Sequence, residues 1–242
     1  MRVTLAQTSP KLNRSNLNDA VAIINAQKHS SDLIIFPELA LSGYLLQDKL
    51  FEDAWLLEEL KVFEDLSRDI DIVIGVALKD GEVFRNVGIY YANGKFISKH
   101  IKVHLPNYGM FEEARYFEGG NKFEAFKVHN KTVTMLVCED LWHKSVHKEL
   151  MVLNPDVIIV LVASPARGFT DSGLEIQEKW YNIITKVAKE CNAQLLFVNR
   201  VGFEDGLGFW GGSCIVNTRG EIIHQLPLFK KEIQTFRIEE II

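Results

Sequence analysis

Short apolar runs alternate with amphipathic stretches over most of the chain, and this alternation predicts an α/β fold. Helices are predicted where apolar residues recur every three to four positions: at 16–27, from Leu56 to Ile70, after Cys138 to about 153, and at 176–191. Turn pairs at 80–81 and 93–94 indicate hairpins, so we expect a mixed sheet system covered by helices. Apolar or alternating runs predict strands at 3–7, 32–36, 72–78, 87–91, 95–103, 133–137, 157–162, 195–201, 213–217, 221–225 and 232–236.

Length and composition predict a single large domain. The 242 residues are 47% hydrophobic, enough for a sizeable core, and we expect one domain spanning 1–242. The net charge of −5 gives no bulk attraction for nucleic acid. We find no signal-peptide pattern and no apolar run long enough to span a bilayer, so a cytoplasmic protein without a membrane partner is expected. Three cysteines without a C-x-x-C pair predict neither a disulfide framework nor structural zinc.

Cys138 is the most informative of the three cysteines. It ends the apolar run 133–137 and precedes a predicted turn and helix. Backbone N–H groups and the helix dipole at such a place favour the nucleophilic thiolate, although a lone cysteine is more often a buried structural residue. Cys191 lies on the apolar stripe of the helix 176–191 and Cys214 lies inside a strand, so both are interpreted as core residues.

Three reactive groups follow or close predicted strands. Glu38 comes just after the run 32–36, Lys102 closes 95–103, and Cys138 follows 133–137. Strand ends are where α/β folds gather active sites. Together the three groups suit amide hydrolysis, since a thiolate can attack the carbonyl, an ammonium can stabilise the oxyanion, and a carboxylate can move the protons. Taken singly, each could instead be a turn cap, a surface lysine or a core cysteine.

These residues lie in three motifs that resemble those of the nitrilase, or carbon–nitrogen hydrolase, superfamily in order and spacing. The motifs are FPEL at 36–39 with SGY at 42–44, KVHLP at 102–106, and VCEDLW at 137–142. The resemblance implies a four-layer αββα sandwich in which helices cover two mixed sheets. It also implies a Glu-Lys-Cys triad of Glu38, Lys102 and Cys138, a thioester acyl-enzyme, no metal or other cofactor, and a homodimer or higher homo-oligomer.

The resemblance implies further site residues. It places a second acid at Glu113, with a solvated carboxylate at a helix start as an equal alternative. The backbone N–H of Glu139 is the natural second oxyanion donor. Residues 105–117 are similar to the glutaminase domain of glutamine-dependent NAD synthetases, and that similarity implies three lining residues and one substrate-contacting segment. The lining residues are Tyr44, Tyr108 and Trp142, and the segment contains Ser164; ordinary packing is the alternative for the aromatic residues.

We therefore expect a hydrolase for a small carboxamide, with glutamine or another ω-amide preferred and ammonia released. No ATP-dependent synthetase domain is present in the sequence, and 166–171 fit the glutaminase pattern poorly, so a free-standing amidase is expected. The same triad would serve an N-carbamoyl-amine amidohydrolase or a nitrilase, and a third alternative is a subunit that delivers ammonia to a synthetase partner. Arg167 and Arg200 are candidates to bind a substrate carboxylate, or else structural arginines.

The glycine pattern G-x-G-x-x-G at 206–211 is typical of dinucleotide-binding proteins. That site requires a helix after the glycines to receive the pyrophosphate. Here the following residues 213–216 predict a strand, so a dinucleotide site is rejected. The glycines are instead expected to form a loop between strands, and the resemblance implies that this region lies close to the substrate pocket.

Overall fold

The computed structural model describes residues 1–171 and 173–238, and two six-stranded mixed sheets lie at its centre. In the first sheet the order is β16-β1-β2-β3-β4-β5. Strands β1, β2 and β3 are parallel, and β16, β4 and β5 pair antiparallel at the two sides. The bounds are β1 (Arg2–Gln7), β2 (Leu33–Ile35), β3 (Asp71–Asp80), β4 (Val83–Ala92), β5 (Lys95–Ile101) and β16 (Glu232–Arg237).

The second sheet repeats this arrangement in the order β15-β14-β11-β8-β7-β6. Its central strands β7, β8 and β11 are parallel, with antiparallel strands on either side. The bounds are β6 (Ala125–Val128), β7 (Lys131–Val137), β8 (Val157–Val162), β11 (Gln194–Asn199), β14 (Cys214–Val216) and β15 (Ile222–Gln225). Two short ribbons pair β9 (Phe169–Thr170) with β10 (Gly173–Leu174) and β12 (Val201–Glu204) with β13 (Leu207–Trp210).

Helices cover the outer face of each sheet. The α-helices are α1 (Asn16–Gln27), α2 (Leu50–Asp53), α3 (Val62–Leu66), α4 (Glu113–Tyr116), α5 (Lys144–Leu153) and α6 (Glu175–Cys191), and 3₁₀ turns span Gln47–Lys49, Leu57–Leu60 and Cys138–Trp142. Helices α1 and α3 pack on the first sheet, and α5 and α6 pack on the second. Leu5 and Ile35 of one sheet pack against Ile159 and Leu196 of the other. The expected four-layer αββα sandwich is confirmed.

The second predicted helix, from Leu56 to Ile70, is wrong. Leu56 is extended, and its backbone N–H donates to Glu59 Oε2 at 2.8 Å, so a 3₁₀ turn starts there. Helix α3 then ends at Leu66, before Ile70. Leu60, Phe63 and Ile70 are buried, whereas Leu56 is 38% exposed, so the apolar spacing did not mark one continuous helix. The predicted helices 16–27 and 176–191 are confirmed.

The elements next to the candidate residues also differ slightly from the predictions. Strand β5 ends at Ile101, so Lys102 follows the strand instead of closing it. After Cys138 the chain makes one 3₁₀ turn and breaks at His143, and α5 begins only at Lys144. Within the described ranges, no helix has the length and apolar character needed to span a membrane.

Candidate active site

Glu38 lies in a turn after β2 that crosses close over β3. A Cβ added to Gly75 would lie 2.7 Å from the Glu38 Cα, so only glycine at that position leaves room for this turn. The Glu38 side chain is fully buried, and its Oε2 accepts the Ala163 N–H at 2.8 Å, just beyond β8 in the other sheet. Its Oε1 accepts hydrogen bonds from Asn86 Nδ2 and Lys102 Nζ, both at 2.8 Å. The carboxylate therefore joins the carboxyl ends of strands from both sheets.

Lys102 is a fully buried cation held between two carboxylates. Its Nζ donates to Glu38 Oε1 at 2.8 Å and to Glu113 Oε1 and Oε2 at 2.8 and 2.7 Å. Burial lowers the pKa of Lys102, but the charges of Glu113 and Glu38 outweigh it and hold the pKa well above its usual value. The group is therefore a fixed positive charge at the base of the site.

Cys138 is the first residue of the 3₁₀ turn that follows β7, and it adopts φ +45°. Such a left-handed conformation is rare for a non-glycine residue and is often found at functional sites. Burial raises the pKa of the Cys138 thiol well above its usual value; Glu38 raises it further, whereas Lys102 lowers it. The sequence-based expectation of a favoured thiolate is therefore wrong, because burial and the charge of Glu38 oppose ionisation of the thiol. A neighbouring base must take the thiol proton.

A cavity of about 270 Å³ opens in front of Cys138. Cys138 and Glu113 reach its wall, whereas Glu38 and Lys102 are fully buried. Five residues expected from the resemblance line this cavity, namely Tyr44, Tyr108, Glu139, Trp142 and Ser164. The structure therefore brings the predicted triad, Glu113 and the predicted lining residues to one place.

The aromatic residues of the wall are oriented by polar contacts. The Tyr44 hydroxyl donates to Glu113 Oε1 at 2.6 Å, and the Tyr108 hydroxyl donates to the carboxylate of Glu139 at 3.0 Å. The Trp142 ring packs edge-on against Trp180, 5.0 Å between centroids. Tyr44 and Tyr108 therefore bind Glu113 and Glu139, two of the acidic residues that line the cavity.

The surroundings of Ser164 and Glu113 show how each belongs to the cavity wall. Ser164 accepts a hydrogen bond from Trp180 Nε1 at 3.0 Å, so its hydroxyl also fixes the aromatic wall. Glu113, the first residue of α4, is only 6% exposed and contacts Lys102 and Tyr44. The solvated helix-start alternative for Glu113 is therefore wrong.

Arg200 is not a substrate-binding arginine. Its side chain is fully buried, donates to Glu204 Oε2 at 2.7 Å, and packs over the Phe209 ring at 4.1 Å. Glu204 in turn accepts the backbone N–H of Tyr44 at 2.8 Å, so the pair supports the segment that carries this tyrosine. Arg167, the other candidate, does line the cavity.

The glycine-rich segment 206–211 forms a hairpin with the residues before it, not the predicted loop. Gly206, at φ +81°, lies in the turn between β12 and β13. The carbonyl of Gly208 accepts the Ala166 N–H at 2.7 Å, next to the cavity wall. The segment that follows the glycines contains strand β14, as expected, so no helix is available there to bind a pyrophosphate.

Asn86 is a site residue that sequence reasoning missed. It is buried in β4, donates to Glu38, and its carbonyl accepts the Lys102 N–H at 2.9 Å. A polar amide directly before the apolar run 87–91 was the available signal, since buried polar groups need partners.

For metal ions, residues 1–171 and 173–238 contain no group of three or more His, Cys, Asp or Glu side chains placed to hold one.

A model of the carbon-nitrogen hydrolase family matches residues 2–240. The chain belongs to this family. It is 34% identical, over 99% of its length, to a glutamine-dependent NAD(+) synthetase of Acinetobacter baylyi, of which it covers 44%. It also matches the structure of the glutamine-dependent NAD+ synthetase of Acinetobacter baumannii, with a TM-score of 0.84 and 32% identity, over 97% of this chain and 44% of that one.

A carbon-nitrogen hydrolase structure from Helicobacter pylori superposes with a TM-score of 0.87 at 22% identity, over 97% of this chain and 88% of that one, and supports the fold. This carbon-nitrogen hydrolase therefore spans less than half the length of the synthetase relatives named above. Its αββα architecture is the one expected from the motifs.

The pH dependence of this carbon-nitrogen hydrolase is expected to report on Glu113. Burial raises the pKa of Glu113 to about 7, although Lys102 lowers it. The Tyr44 hydroxyl and the Lys102 ammonium both donate to this carboxyl group, so the arrangement requires its ionised form. We expect kcat/KM to fall as the pH drops through about 7, because a protonated Glu113 must direct a hydrogen at one of these donors.

The variant Glu113→Gln tests this assignment. It cannot ionise, so its pH–rate profile should be flat around neutral pH, with a rate at pH 8 lowered about tenfold or more by the misplaced Lys102. The measurement is kcat/KM from pH 5 to 9 for both proteins. An unchanged acid limb in the variant would assign that limb to another group.

Proposed function

We propose that this carbon-nitrogen hydrolase cleaves the C–N bond of a small carboxamide through a thioester on Cys138 and releases ammonia. One observation carries the proposal. A buried ammonium, Lys102, is bonded to Glu38 at 2.8 Å and to Glu113 at 2.7 Å, beside a strained cysteine that lines a cavity. Base, oxyanion stabiliser and nucleophile are thereby assembled from three chain segments.

The first half of the reaction acylates the enzyme. Glu38 takes the thiol proton as Cys138 Sγ attacks the amide carbon, because the raised thiol pKa leaves the proton in place until a base removes it. The Lys102 ammonium and the Glu139 backbone N–H stabilise the oxyanion. Glu38 then gives its proton to the amide nitrogen, the C–N bond breaks, and ammonia leaves a thioester behind.

The second half hydrolyses the thioester. Glu38, again a carboxylate, takes a proton from water while the water oxygen attacks the acyl carbon. The same two donors stabilise the second oxyanion. The intermediate collapses with cleavage of the C–S bond, and the proton returns from Glu38 to the sulfur, which restores the thiol and releases the carboxylic acid.

The preferred substrate is glutamine or another ω-amide of an amino acid. The cavity wall carries cations at Arg167 and Lys179 and anions at Glu139 and Glu175. This mixture of signs suits a zwitterion, with Arg167 bound to the α-carboxylate and Glu139 to the α-ammonium group. The glutamine dependence named for the two synthetase relatives supports the same choice.

Other substrates and a synthetase partner are compatible with the same triad. An N-carbamoyl amine or a nitrile would meet the same three groups, and only the cavity wall would select between them. A synthetase partner that receives the ammonia is an alternative. It is supported by the synthetase relatives, since this chain covers 44% of the length of the Acinetobacter baylyi enzyme. A homodimer and a cytoplasmic location belong to the same proposal.

The proposal is tested by intact-protein mass spectrometry after brief exposure to glutamine, neutral amides, carbamoyl compounds and nitriles. A transient adduct on the wild type but not on Cys138→Ala would support thioester chemistry, and its mass would identify the acyl group. Steady turnover together with an adduct on another residue, or on both proteins alike, would contradict the proposal.

Substitution of Arg167 by methionine tests the substrate class. Loss of a charged hydrogen-bond donor should lower kcat/KM for glutamine about 10- to 100-fold. Butyramide, which lacks both charges, should be hydrolysed at the wild-type rate. Arg219→Met, in an exposed turn far along the chain, is the matched control and should change neither. Equal losses for both substrates would contradict a carboxylate-binding role for Arg167.

A further inference from the structure

Asp140 is a buried carboxylate beside the candidate active site that the reaction above does not use. Its side chain is fully buried. The Oδ1 atom accepts the backbone N–H groups of Val103 and His104 at 3.0 and 2.9 Å, and His104 Nδ1 lies 3.3 Å away. The Oδ2 atom accepts His100 Nε2 at 2.7 Å and the Val137 N–H at 3.1 Å. One carboxylate thus bonds two stretches of the chain, 100–104 and Val137.

These contacts flank two of the proposed catalytic residues. His100 and Val103 lie on either side of Lys102 in the sequence, and Val137 directly precedes Cys138. Asp140 also belongs to the 3₁₀ turn that begins at Cys138, and its bond to the Val137 N–H is the reach-back half of a capping box. The carboxylate therefore links the lysine segment of the first sheet to the cysteine turn of the second.

The surroundings keep this carboxylate ionised and in place. Burial raises the pKa of Asp140, but hydrogen bonds from His100 and His104 outweigh burial and hold the pKa well below its usual value. The two imidazole rings stack on Phe123, with centroids 5.5 and 6.0 Å away. His143, whose Nε2 lies 3.7 Å from Glu139 Oε1, stacks on the outer face of His104 at 3.7 Å. Packing thus fixes the donors as well as the acceptor.

We propose that Asp140 is a positioning residue that sets Lys102 relative to Cys138, with His100 as the side chain that orients it. The inference rests on the proposed function. Lys102 lowers the pKa of the Cys138 thiol, so a displaced ammonium would leave the thiol harder to ionise and the oxyanion less stabilised. Misplacement of a catalytic group by about 1 Å can cost about 10²-fold in rate.

A second buried aspartate provides a matched control. Asp71 is 6% exposed and accepts hydrogen bonds from Tyr90 Oη at 2.8 Å and His129 Nε2 at 2.9 Å. It is the first residue of β3, at the end of the first sheet opposite to Glu38. Asp71→Asn therefore removes the same kind of buried carboxylate without touching the site.

The experiment compares Asp140→Asn, His100→Phe, His100→Gln and Asp71→Asn with the wild type. The first readout is the rate of Cys138 alkylation by iodoacetamide from pH 6 to 10, localised by peptide mass spectrometry. The second is kcat and KM for the best amide. We expect Asp140→Asn to slow alkylation at neutral pH about tenfold and to lower kcat about 10²-fold, with KM within about threefold.

His100→Phe keeps the ring stacking but removes the donor to Asp140. Its alkylation rate and kcat should therefore fall in the same way as in Asp140→Asn, but by a smaller factor. His100→Gln restores a donor near the ring Nε2 position and should recover most of the rate. Asp71→Asn should lower the melting temperature and leave both rates at the wild-type value.

The proposal would be overturned if folded Asp140→Asn, or His100→Phe, had the same alkylation rate and the same kcat as the wild type. So would equal losses in His100→Phe and His100→Gln. If Asp140→Asn does not fold, the His100 pair decides the question alone. If the wild type hydrolyses no amide, the proposed function fails, whereas the alkylation profiles still decide whether Asp140 positions Lys102.

Discussion

Replacement of Cys138 by alanine is expected to abolish turnover of every amide that the wild type hydrolyses. Cys138 provides the only thiol among the described residues that line the cavity, and the wall hydroxyl of Ser164 is already bound to the indole N–H of Trp180 at 3.0 Å. Loss of a covalent nucleophile costs about 10⁴-fold or more in kcat. The measurement is ammonia release by the purified proteins under saturating substrate.

Cys191→Ala is the matched control for this prediction. Cys191 is buried on the apolar stripe of α6 and does not line the cavity. Its replacement by alanine should therefore lower the free energy of unfolding slightly and leave kcat unchanged. The alanine variant of Cys138 should retain its melting temperature within a few degrees. Retention of more than a tenth of wild-type kcat in that variant would remove Cys138 from its assigned role.

The sequence was enough to find the candidate residues because each stands where a recognisable strand ends. Glu38 comes just after an apolar run that Pro37 ends, and Cys138 comes directly after the apolar run 133–137. Local pattern therefore predicts that these groups lie at sheet edges. It does not predict the approach of Glu38 to Ala163, 125 residues later, because that contact depends on how two sheets face each other.

The supporting residues were missed for the same reason. Asn86, Asp140 and the Arg200–Glu204 pair could not be singled out locally, because each supports the site through contacts that form only when distant segments meet. The two alternatives for Arg200 stay open at the sequence level because a sequence cannot distinguish an arginine in a cavity wall from one in a buried ion pair. Such pairs persist only with full hydrogen bonding, which is a property of the tertiary structure.

The Cys138 thiol shows where a local rule failed. A helix N-terminus lowers thiol pKa values only if a helix with a substantial dipole follows. One 3₁₀ turn follows here, and burial with the nearby charge of Glu38 dominates. Glu113 is suggested by the resemblance alone, and the structure places it beside Lys102. The extent of the domain over residues 1–242 stays a prediction.

Lys102→Met is expected to lower kcat/KM at least about 10²-fold, the range found when an oxyanion stabiliser is removed. Methionine approximates the length of the lysine side chain but leaves Glu38 and Glu113 facing each other without the cation that now lies 2.8 and 2.7 Å from them. Two buried carboxylates without a counter-charge cannot both stay ionised, so one takes up a proton at neutral pH. The base and the oxyanion stabiliser are then impaired by a single change.

The matched control is Lys99→Met, three residues earlier in β5. Lys99 is partly exposed, and its Nζ lies 4.0 Å from Asp80, so its loss should change neither kcat/KM nor the melting temperature by much. Lys102→Met removes one partner of a buried ion pair and should also be less stable; kcat/KM is therefore measured well below its melting temperature. A folded variant with a near-wild-type rate would show that Lys102 stabilises the fold and plays no part in the reaction.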